Sequence, residues 1–525
     1  MRTICVLMLA AAMWPSAAWC EEAPVAKAGD VILEADFEAA DALAAWPGRM
    51  GTPKLDAGCG GGRALCIESA DASSGANVSA VLPAERLRGC KVLLSAMVKA
   101  ENVSDRPNAW NGIKFMAPID AEGGKTWPQA TVGVGSFDWR PVVWAARVPE
   151  DARAMSLVLG LERVTGKVWF DSVKVTVRRG PVTPKLRAPG PVYKGHDLPR
   201  LRGAMVSPNA TAEDLRTFGR EWGANCIRWQ LFGFKPGFDT ADLAEYDRRL
   251  EAELKKLDAA IPVCEEVGLV VVVDLHTGPG HWAEPPRSLF TSRRMQDRFI
   301  GVWEHIARRY KDARCIWGYD LLNEPLEEGA ADDTLDWQEL AEKTARAVRK
   351  IDPRRCLIIE PAPWGGPDAL KQFLPIDVPG VVYSVHMYNP GTFTHQGVFD
   401  LKQKAVRYPG EIDGKLWDRA ALEASLGPAI AFQKTYGVHI YLGEFSAIRW
   451  APDQSACRYL KDCIDIFEKH GWDWTYHAFR EWSGWSVEHG EDRADDAPTK
   501  EPTDRKRLLL EWFAKNTKPA WTKTP

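Results

Sequence analysis

The sequence predicts an α/β chain in which a (β/α)8 TIM barrel is preceded by an all-β sandwich domain. Three observations lead to this prediction. Short alternating apolar runs, separated by Gly, Pro and Asn, fill residues 30–178. Residues 179–199 are rich in Pro and show no apolar periodicity, as in an inter-domain linker. In residues 200–516, eight apolar runs alternate with amphipathic stretches, which is the spacing of a (β/α)8 barrel.

The barrel elements follow from these runs. An open doubly wound sheet is the alternative fold, but the Gly-rich phosphate turn that it needs after its first strand is missing, since "VSPNA" stands there. The expected strands are "LRGAMV", "NCIRWQL", "LVVVVDL", "IWGYDLL", "CLIIE", "VVYSVH", "IYLGE" and "WTYHAF". The expected helices are Ala212–Trp222, Glu245–Val267, Ser292–Tyr310, Asp336–Lys350, Asp418–Tyr436, Ser455–His470 and Asp504–Asn516.

Residues 1–20 have the pattern of a secretory signal peptide. Arg2 supplies a positive charge, and the apolar run from Ile4 to Met13 is too short to span a bilayer. Small residues then precede a polar start, so we expect cleavage after Ala18 or Cys20. The sequence therefore predicts a secreted or periplasmic protein.

The composition excludes several classes of protein. The formal net charge is −4, so the chain lacks the basic surface of a nucleic-acid-binding protein. No run after the signal peptide is long and apolar enough for a membrane helix. The chain has 23 Trp residues, whose large rigid faces suit sugar rings. We expect a monomer with no nucleic-acid or membrane partner.

The cysteines give little sign of metal chemistry. An odd number follows Cys20, which leaves at least one thiol unpaired, whereas Cys59 and Cys66 flank a Gly-rich turn and could form a disulfide. The chain contains no Cys-x-x-Cys or His-x-x-x-His spacing of the kind that binds zinc. We therefore expect no metal or other cofactor in catalysis.

Polar side chains follow seven of the eight predicted barrel strands. The carboxyl ends of barrel strands face one mouth, so these side chains are expected to converge there. Burying a carboxylate at such a strand end costs free energy unless the carboxylate has a partner or takes part in the chemistry of a site. In chain order the residues are Arg228, Asp274, His276, Asn323, Glu324, Glu360, Trp364, His386, Tyr388, Glu444, His477, Arg480, Glu481 and Trp482.

Two carboxylates that converge on a small pocket favour cleavage of glycosidic bonds. One must stay protonated to donate to the leaving oxygen, and the other must stay ionised to attack the anomeric carbon, so their surroundings have to separate their pKa values. An Asn beside the acid suits the hydroxyl at sugar carbon 2. An Arg and a Tyr beside the nucleophile would hold it ionised and oriented.

The barrel resembles glycoside hydrolase family 5, the cellulase-type family in the clan of retaining (β/α)8 glycosidases. The resemblance covers residues 200–515 and rests on the motifs "GANCIRWQ", "VVDLHTGPG", "LLNEP", "YSVHMYNP" and "YLGEF", in the order of the family. It implies that Glu324 is the acid/base and Glu444 the nucleophile. It also implies supporting, substrate-binding roles for Arg228, His276, Asn323, His386 and Tyr388.

The eighth strand departs from the family pattern. Many members show Trp-x-x-Trp there, but this chain has Trp474-x-x-His477, with a His in place of the second Trp. The aromatic platform for sugar could therefore shift to Trp482 or Trp485, and we assign it to Trp482. Trp364, after the fifth strand, is a further candidate for a substrate-binding wall.

Structural roles compete with several of these assignments. Glu324 and Glu444 could instead form a buried salt bridge, for instance with Arg228. Glu360 could bind substrate or could be paired structurally. Asp274 and Asp320 are expected to point outward or to pair within the barrel, so we leave them out of the site.

The sandwich resembles carbohydrate-binding modules of the jelly-roll type, through "ILEADFE" near its start and "GKVWFDSVKV" at its end. The resemblance implies a possible structural calcium, with Glu34, Asp36 and Asp171 as candidate ligands. Trp110 and Trp127 lie in loop-like sequence and could stack on sugar.

Together these features predict an exported retaining endo-β-glycanase that hydrolyses β-1,4-glucan-type polysaccharide. A same-clan enzyme acting on mannan, xyloglucan or another β-glycan stays open, as does a non-catalytic polysaccharide-binding protein. The long loops after the third and sixth strands predict an open cleft. Their aromatic residues Trp282, Phe290, Phe393 and Trp417 either line that cleft or pack the loops together.

Overall fold

The structure is a computed structural model that describes residues 24–108, 110–182, 190–233, 237–281, 288–327, 331 and 333–522. The predicted signal peptide, part of the predicted linker and Trp282 lie outside the described residues. The chain divides into two compact units, Met1–Pro141 with Ala146–Val182, and Val142–Ala145 with Thr183–Pro525.

The first unit consists of two antiparallel sheets, as the alternating pattern predicted. In Gly75–Leu82, for example, every second side chain is buried. Phe115 of one sheet and Phe170 of the other meet edge to face, with ring centroids 6.3 Å apart, in the apolar layer between the sheets. One sheet contains Val31–Ala35, Lys54–Ala57, Arg63–Ser69, Lys91–Val103, Gly135–Arg147 and Gly166–Arg179, and the other contains Gly48–Met50, Gly75–Leu82, Gly112–Met116, Ile119–Ala121, Gly124–Thr126 and Ala154–Glu162. Short helical turns span Ala42–Ala45, Cys59–Gly61 and Ala84–Leu87.

The second unit is a closed barrel of eight parallel strands, which confirms the predicted fold. Six of the strands are buried along their whole length. The strands are rich in Val, Ile and Leu because both of their faces are covered. The strands, numbered from the first to the eighth barrel strand, are Arg202–Val206, Cys226–Gln230, Val270–Asp274, Ile316–Asp320, Cys356–Ile359, Val381–Met387, Ile440–Phe445 and Asp473–Phe479.

Helices follow most of the barrel strands, and several begin at caps that are visible in the sequence. The Thr211 side chain accepts from the Asp214 N–H in a capping box, and Asp336 and Glu339 form a second one. Gly268 ends the longest helix in a left-handed conformation, with φ of 70°. The α-helices are Ala212–Arg216, Leu243–Val267, Ser288–Thr291, Arg293–Tyr310, Trp337–Ile351, Gly391–Thr394, Arg419–Ser425, Gly427–Tyr436, Ser455–His470 and Asp504–Phe513.

Two predicted helices differ from the structure. The helix predicted over Ala212–Trp222 is α-helical only to Arg216 and continues as a π-helical turn, Thr217–Glu221. The helix predicted over Asp418–Tyr436 is broken at Leu426, because Pro428 lacks an N–H and fits only the first turn of a new helix. Between the fifth and sixth strands stands a short 3-10 helix, Pro367–Lys371, and a small hairpin, Gly410–Ile412 with Lys415–Trp417, follows the sixth.

Two further features concern cysteines and membranes. Cys59 and Cys66 are both free thiols, so the disulfide considered between them is not formed. Among the helices in the described ranges, none combines the length and the apolar character that crossing a bilayer requires.

Candidate active site

A cavity of about 1240 Å³ lies at the carboxyl ends of the barrel strands. Most of the residues predicted from the strand ends line it, whereas Arg228 lies fully buried beneath it. The convergence expected from the barrel geometry is therefore present. The lining includes His276, Asn323, Glu324, Trp364, His386, Tyr388, His395, Phe399, Glu444, His477, Glu481, Trp482 and Trp485.

Arg228 connects the polar groups below the cavity. Its side chain is inaccessible to solvent, so its charge must be balanced by neighbouring carboxylates. Burial opposes the charged form, but the surrounding carboxylates outweigh it and hold the pKa of Arg228 well above its ordinary value. Its guanidinium lies 2.7–3.1 Å from oxygens of Asp274, Asp320, Asn323, Glu360 and Glu444.

Glu444, at the end of the seventh strand, is held in the ionised form. Oε1 accepts from Arg228 at 2.7 Å, and Oε2 accepts from the Tyr388 hydroxyl at 2.9 Å. The Nδ1 atom of His477 lies 3.3 Å from Oε2. Burial alone would raise the pKa of Glu444, but the charges of His386, His477 and Arg228 hold it well below its ordinary value.

Glu324 follows the fourth strand and occupies the opposite electrostatic environment. Burial raises the pKa of its carboxyl, and the charges of Glu444 and Glu360 add to the rise, against the effect of His386. Its Oε1 lies 2.8 Å from Nδ1 of His386. Glu324 also has a φ of 45°, a backbone conformation that side-chain-bearing residues rarely adopt.

Glu360 maintains this backbone conformation. Its Oε2 accepts the N–H of Glu324 at 2.8 Å, while Oε1 accepts from Arg228 at 2.9 Å and lies 3.1 Å from Nε2 of His386. The side chain is fully buried and does not line the cavity. Of the two roles considered for Glu360, the structural pairing is the one that the contacts support.

Glu324 and Glu444 face each other across a short gap. One carboxylate oxygen of each, together with an imidazole nitrogen of His386, lies within 4.8 Å of the others. Carboxyl groups about 5 Å apart allow direct attack on an anomeric carbon, whereas a wider gap of about 8 Å leaves room for a water between them. The site therefore combines a carboxyl whose pKa is raised with one whose pKa is lowered, at the shorter of these two separations.

Residues 192–483 match the family described as Cellulase (glycosyl hydrolase family 5). The chain is 30% identical over 256 residues to Endoglucanase C of Acetivibrio thermocellus, which covers 43% of this chain and 73% of that protein. The chain belongs to glycosyl hydrolase family 5.

Other relatives of this family 5 hydrolase include Cellodextrinase A of Ruminococcus flavefaciens, which is 29% identical over 239 residues, covering 45% of this chain and 70% of that protein. Among solved structures, Thermotoga maritima Cel5A in complex with cellobiose is 25% identical and has a TM-score of 0.46. It covers 59% of this chain and 97% of its own. The predicted family and the glycoside hydrolase class are confirmed.

The remaining predicted polar residues occupy different positions in the hydrolase site. His276 lines the cavity, and its Nδ1 lies 2.8 Å from Oδ2 of Asp274 beneath it. Asn323 also lines the cavity and accepts from Arg228 at 3.0 Å through its side-chain oxygen. The Arg228 bond fixes the amide of Asn323, so its nitrogen is the group left to meet a ligand oxygen.

Two aromatic side chains offer faces to the cavity. Trp364 and Trp482 line it and keep 47% and 42% of their surface exposed, respectively. Trp485 lines the cavity too but is 8% exposed, because its ring packs edge-on against Trp482 and His395. Of the two candidates in the eighth strand region, Trp482 therefore has the available face.

The aromatic residues considered for the two long loops are placed differently. Phe290 and Phe393 are buried in the hydrophobic core, so they pack the loops rather than face a cleft. Trp417 is half-buried against the same core. Phe399, in the loop after the sixth strand, does line the cavity and is 85% exposed.

Four polar residues at or beneath the cavity were not among the site residues assigned from the sequence. Asp274 and Asp320 pair with Arg228 within the barrel, which is the second of the two positions expected for them. The register of the strands could have indicated this pairing in advance. Gln230, Asp274 and Asp320 end three consecutive strands and are direct neighbours across them. His395 lines the cavity without a motif, and burial together with His477 lowers its pKa to about 4. Glu481, the fourth, is considered below.

Two side-chain groups in the described part of the chain have ligating atoms close enough to hold a metal ion. One is the Glu324, His386 and Glu444 group of the cavity. The other lies at the amino ends of the last two strands, where Nε2 of His196 and Nε2 of His439 each lie 2.7 Å from Oδ2 of Asp473, a hydrogen-bonding distance. Catalysis without a metal or cofactor stays a prediction.

The three calcium candidates of the sandwich are engaged separately. Glu34 forms an ion pair with Lys174 at 3.2 Å. Asp171 accepts the N–H of Cys59 at 2.8 Å, and Asp36 accepts the N–H of Glu38 at 3.2 Å. These carboxylates do not form a ligand group by themselves within the described ranges. Calcium binding here stays a prediction that needs backbone oxygens as further ligands.

Proposed function

We propose that the protein is an exported retaining endo-β-glycanase that hydrolyses β-1,4-glucan-type polysaccharide, with Glu324 as acid/base and Glu444 as nucleophile. The observation that carries the proposal is the opposite pKa shift of two carboxyl groups whose oxygens lie within 4.8 Å. Relatives named endoglucanase and cellodextrinase support the choice of a β-glucan.

In the first step, the ionised Glu444 attacks the anomeric carbon while the bond from that carbon to the leaving oxygen breaks. The proton of Glu324 passes to the leaving oxygen, and a glycosyl ester of Glu444 forms. In the second step, Glu324 takes a proton from water, and the water oxygen attacks the anomeric carbon. The ester bond breaks, Glu444 is released as a carboxylate, and the configuration of the sugar is retained.

Retention of configuration is the first expected result. Hydrolysis of a β-1,4-glucan oligosaccharide should release a β-anomer first, because two displacements at one carbon restore its configuration. Proton NMR of the anomeric signals during the first minutes measures this directly. An α-anomer as the initial product would contradict the covalent mechanism and the role of Glu444.

Cleavage within chains is the second expected result. The cavity is large enough for several sugar units, and Trp364 and Trp482 can stack on rings away from the reacting bond. Viscosity of soluble carboxymethyl cellulose should therefore fall well before reducing ends accumulate, with mixed oligosaccharides as early products. Release of a single small sugar from the start would indicate action at chain ends instead.

A panel of β-glucan, mannan and xyloglucan decides among substrates within the clan. Fastest turnover on mannan would favour the same-clan alternative while leaving the two-carboxylate mechanism in place. A non-catalytic polysaccharide-binding role is disfavoured because both carboxylates are present and oppositely shifted. Absence of hydrolysis across the panel would favour that role.

For the first unit we propose a second polysaccharide-binding site at Trp110 and Trp127. Both side chains are more than half exposed, at 63% and 58%, which is unusual for Trp. Their segments are held together, since the buried Lys114 donates to the Trp110 carbonyl and to Oε1 of Gln129, two residues after Trp127. Exposed indole faces on two segments that are held together suit successive rings of a sugar chain.

The double variant Trp110→Ala/Trp127→Ala should bind insoluble polysaccharide roughly tenfold more weakly, because two stacking faces are removed. Its kcat/KM on a soluble oligosaccharide should equal that of the wild type. Val81→Ala removes another exposed apolar side chain of the same unit and serves as the control. Pull-down with insoluble cellulose measures binding, and unchanged binding of the double variant would exclude this site.

A further inference from the structure

His477 and Glu481 form a pair of titratable groups beside Glu444, where many family members carry a second Trp. His477 lies on the eighth strand, with Nδ1 2.5 Å from the Tyr388 hydroxyl and 3.3 Å from Oε2 of Glu444. Its Nε2 lies 3.4 Å from Oε2 of Glu481. Both residues line the cavity, so this part of its wall is polar and charged.

His477 carries a positive charge in this arrangement. Burial opposes that charge, but the carboxylates of Glu444 and Glu481 outweigh it and raise the pKa of His477 to about 10. One imidazolium therefore contacts both carboxylates. The two carboxylates lie at ion-pair distances of 3.3 and 3.4 Å from this ring, so the charge of His477 attracts both toward the same point.

Glu481 has one oxygen engaged and one available. Oε2 accepts from Nε2 of Gln230 at 2.8 Å and faces His477, and the contacts of this carboxylate with other described residues all use Oε2. A quarter of the side chain is exposed, on the side of the cavity. Burial would raise the pKa of Glu481, but the charges of His477 and His276 lower it, so Oε1 belongs to an ionised carboxylate.

An oxygen of this kind accepts hydrogen bonds from neutral donors. The charge of Glu481 is already balanced by His477, so a cationic ligand is not required. The donors of a glycan are its hydroxyl groups, and a charge-assisted hydrogen bond is stronger than a neutral one. An acceptor in the wall of a cavity also discriminates against a ligand that lacks the matching hydroxyl, which an aromatic face does not.

We propose that Glu481 is a substrate-binding residue that accepts a hydrogen bond from a hydroxyl of the sugar unit bound beside Glu444, and that His477 positions Glu481 and Glu444 relative to each other. This inference rests on the proposed function. It makes the hydroxyl pattern of that sugar unit, rather than ring stacking alone, a determinant of specificity at this wall.

Deoxy substrates test the proposal in the full-length chain. The substrates are aryl β-cellobiosides in which the glucosyl unit next to the aryl group lacks the hydroxyl at carbon 2, 3 or 6. In the wild type, one of these deletions should lower kcat/KM about 10- to 100-fold through loss of the bond to Glu481. In Glu481→Ala, kcat/KM for the parent substrate should fall by a similar factor. Within this variant, kcat/KM for that one deoxy substrate should be less than about twofold below the value for the parent substrate.

Two further variants keep the test decisive. Glu481→Leu keeps a side chain of similar size without a hydrogen-bond acceptor and gives the same comparison if the alanine variant has a much lower Tm. Glu411→Gln changes an exposed carboxylate on the small hairpin and should leave every kcat/KM value unchanged. A uniform loss of kcat/KM across parent and deoxy substrates in both Glu481 variants would reveal a merely structural role and overturn the proposal.

The outcome also separates this inference from the proposed function. If the wild type cleaves aryl mannobiosides faster, the deoxy series is made on mannose. Failure of the wild type to cleave any glycoside would contradict the proposed function, and this inference with it. Cleavage by the wild type with no deoxy-specific effect would contradict the role of Glu481 alone.

Discussion

Glu444→Gln is expected to lower kcat on every substrate by at least about a thousandfold, because an amide cannot form the glycosyl ester that the first step requires. The fold should persist, since Arg228 keeps the carboxylates of Asp320 and Glu360 as partners. Steady-state kinetics on a soluble β-glucan and on an aryl cellobioside measure the loss. Thermal unfolding measures whether the variant is folded.

Glu342→Gln is the matched control for this variant. Glu342 lies on the helix Trp337–Ile351 and forms an ion pair with Arg346, whose side chain is half-exposed. Ion pairs that solvent reaches contribute little to stability, so loss of this pair should lower the free energy of unfolding only slightly and leave activity unchanged. A folded Glu444→Gln variant that keeps more than a few per cent of wild-type kcat would remove Glu444 from the nucleophile role.

Glu324→Ala should show losses that depend on the leaving group. A natural glycan, whose leaving alkoxide needs a proton, should lose roughly a thousandfold or more in kcat/KM. An aryl glycoside with a dinitrophenyl leaving group needs no proton and should retain much of its first-step rate. Added azide should speed the variant and yield a glycosyl azide, because a small anion fits the space left by the side chain and needs no base.

The pH profile provides an independent measure of the same role. In the wild type, the raised pKa of Glu324 extends the pH range over which this carboxyl is protonated, and activity should be lost as pH rises through that pKa. In Glu324→Ala acting on the dinitrophenyl substrate, this alkaline limb should disappear. Equal losses on all substrates, with no azide rescue and an unchanged alkaline limb, would show that Glu324 is not the acid/base.

Local sequence patterns determined most of the barrel. The eight predicted strands differ from the observed ones by at most two residues at either end. Each strand is a short apolar run whose hydrogen-bonding partners are similar runs, so composition alone identifies it. Glu324 and Glu444 could be singled out for the same reason, since the end of a barrel strand is also the edge of the mouth.

Closure of the barrel decided which side chains meet below its mouth. For Asp274 and Asp320 the sequence left two positions open, pointing outward or pairing within the barrel. The closed barrel decided for pairing, because the guanidinium of Arg228 on the second strand lies within 3.1 Å of both carboxylates. The role of Glu360 followed only when its oxygens were found on Arg228 and on the backbone of Glu324. These contacts join residues 36 to 132 positions apart, beyond any periodic pattern.

The side chains that line the walls of the cavity could not be predicted from the sequence either. Phe393 and Phe399 lie in one loop, but the first is buried and the second is 85% exposed, and no local pattern separates them. His477 marked a departure from the family motif, but its contacts with Glu444 and Glu481 appear only in the closed barrel. The sequence by itself thus determined the strands and the residues at their ends, because hydrophobic periodicity is local. Only the tertiary structure decided the pKa values and the available faces, because burial and charge pairing depend on groups from several strands at once.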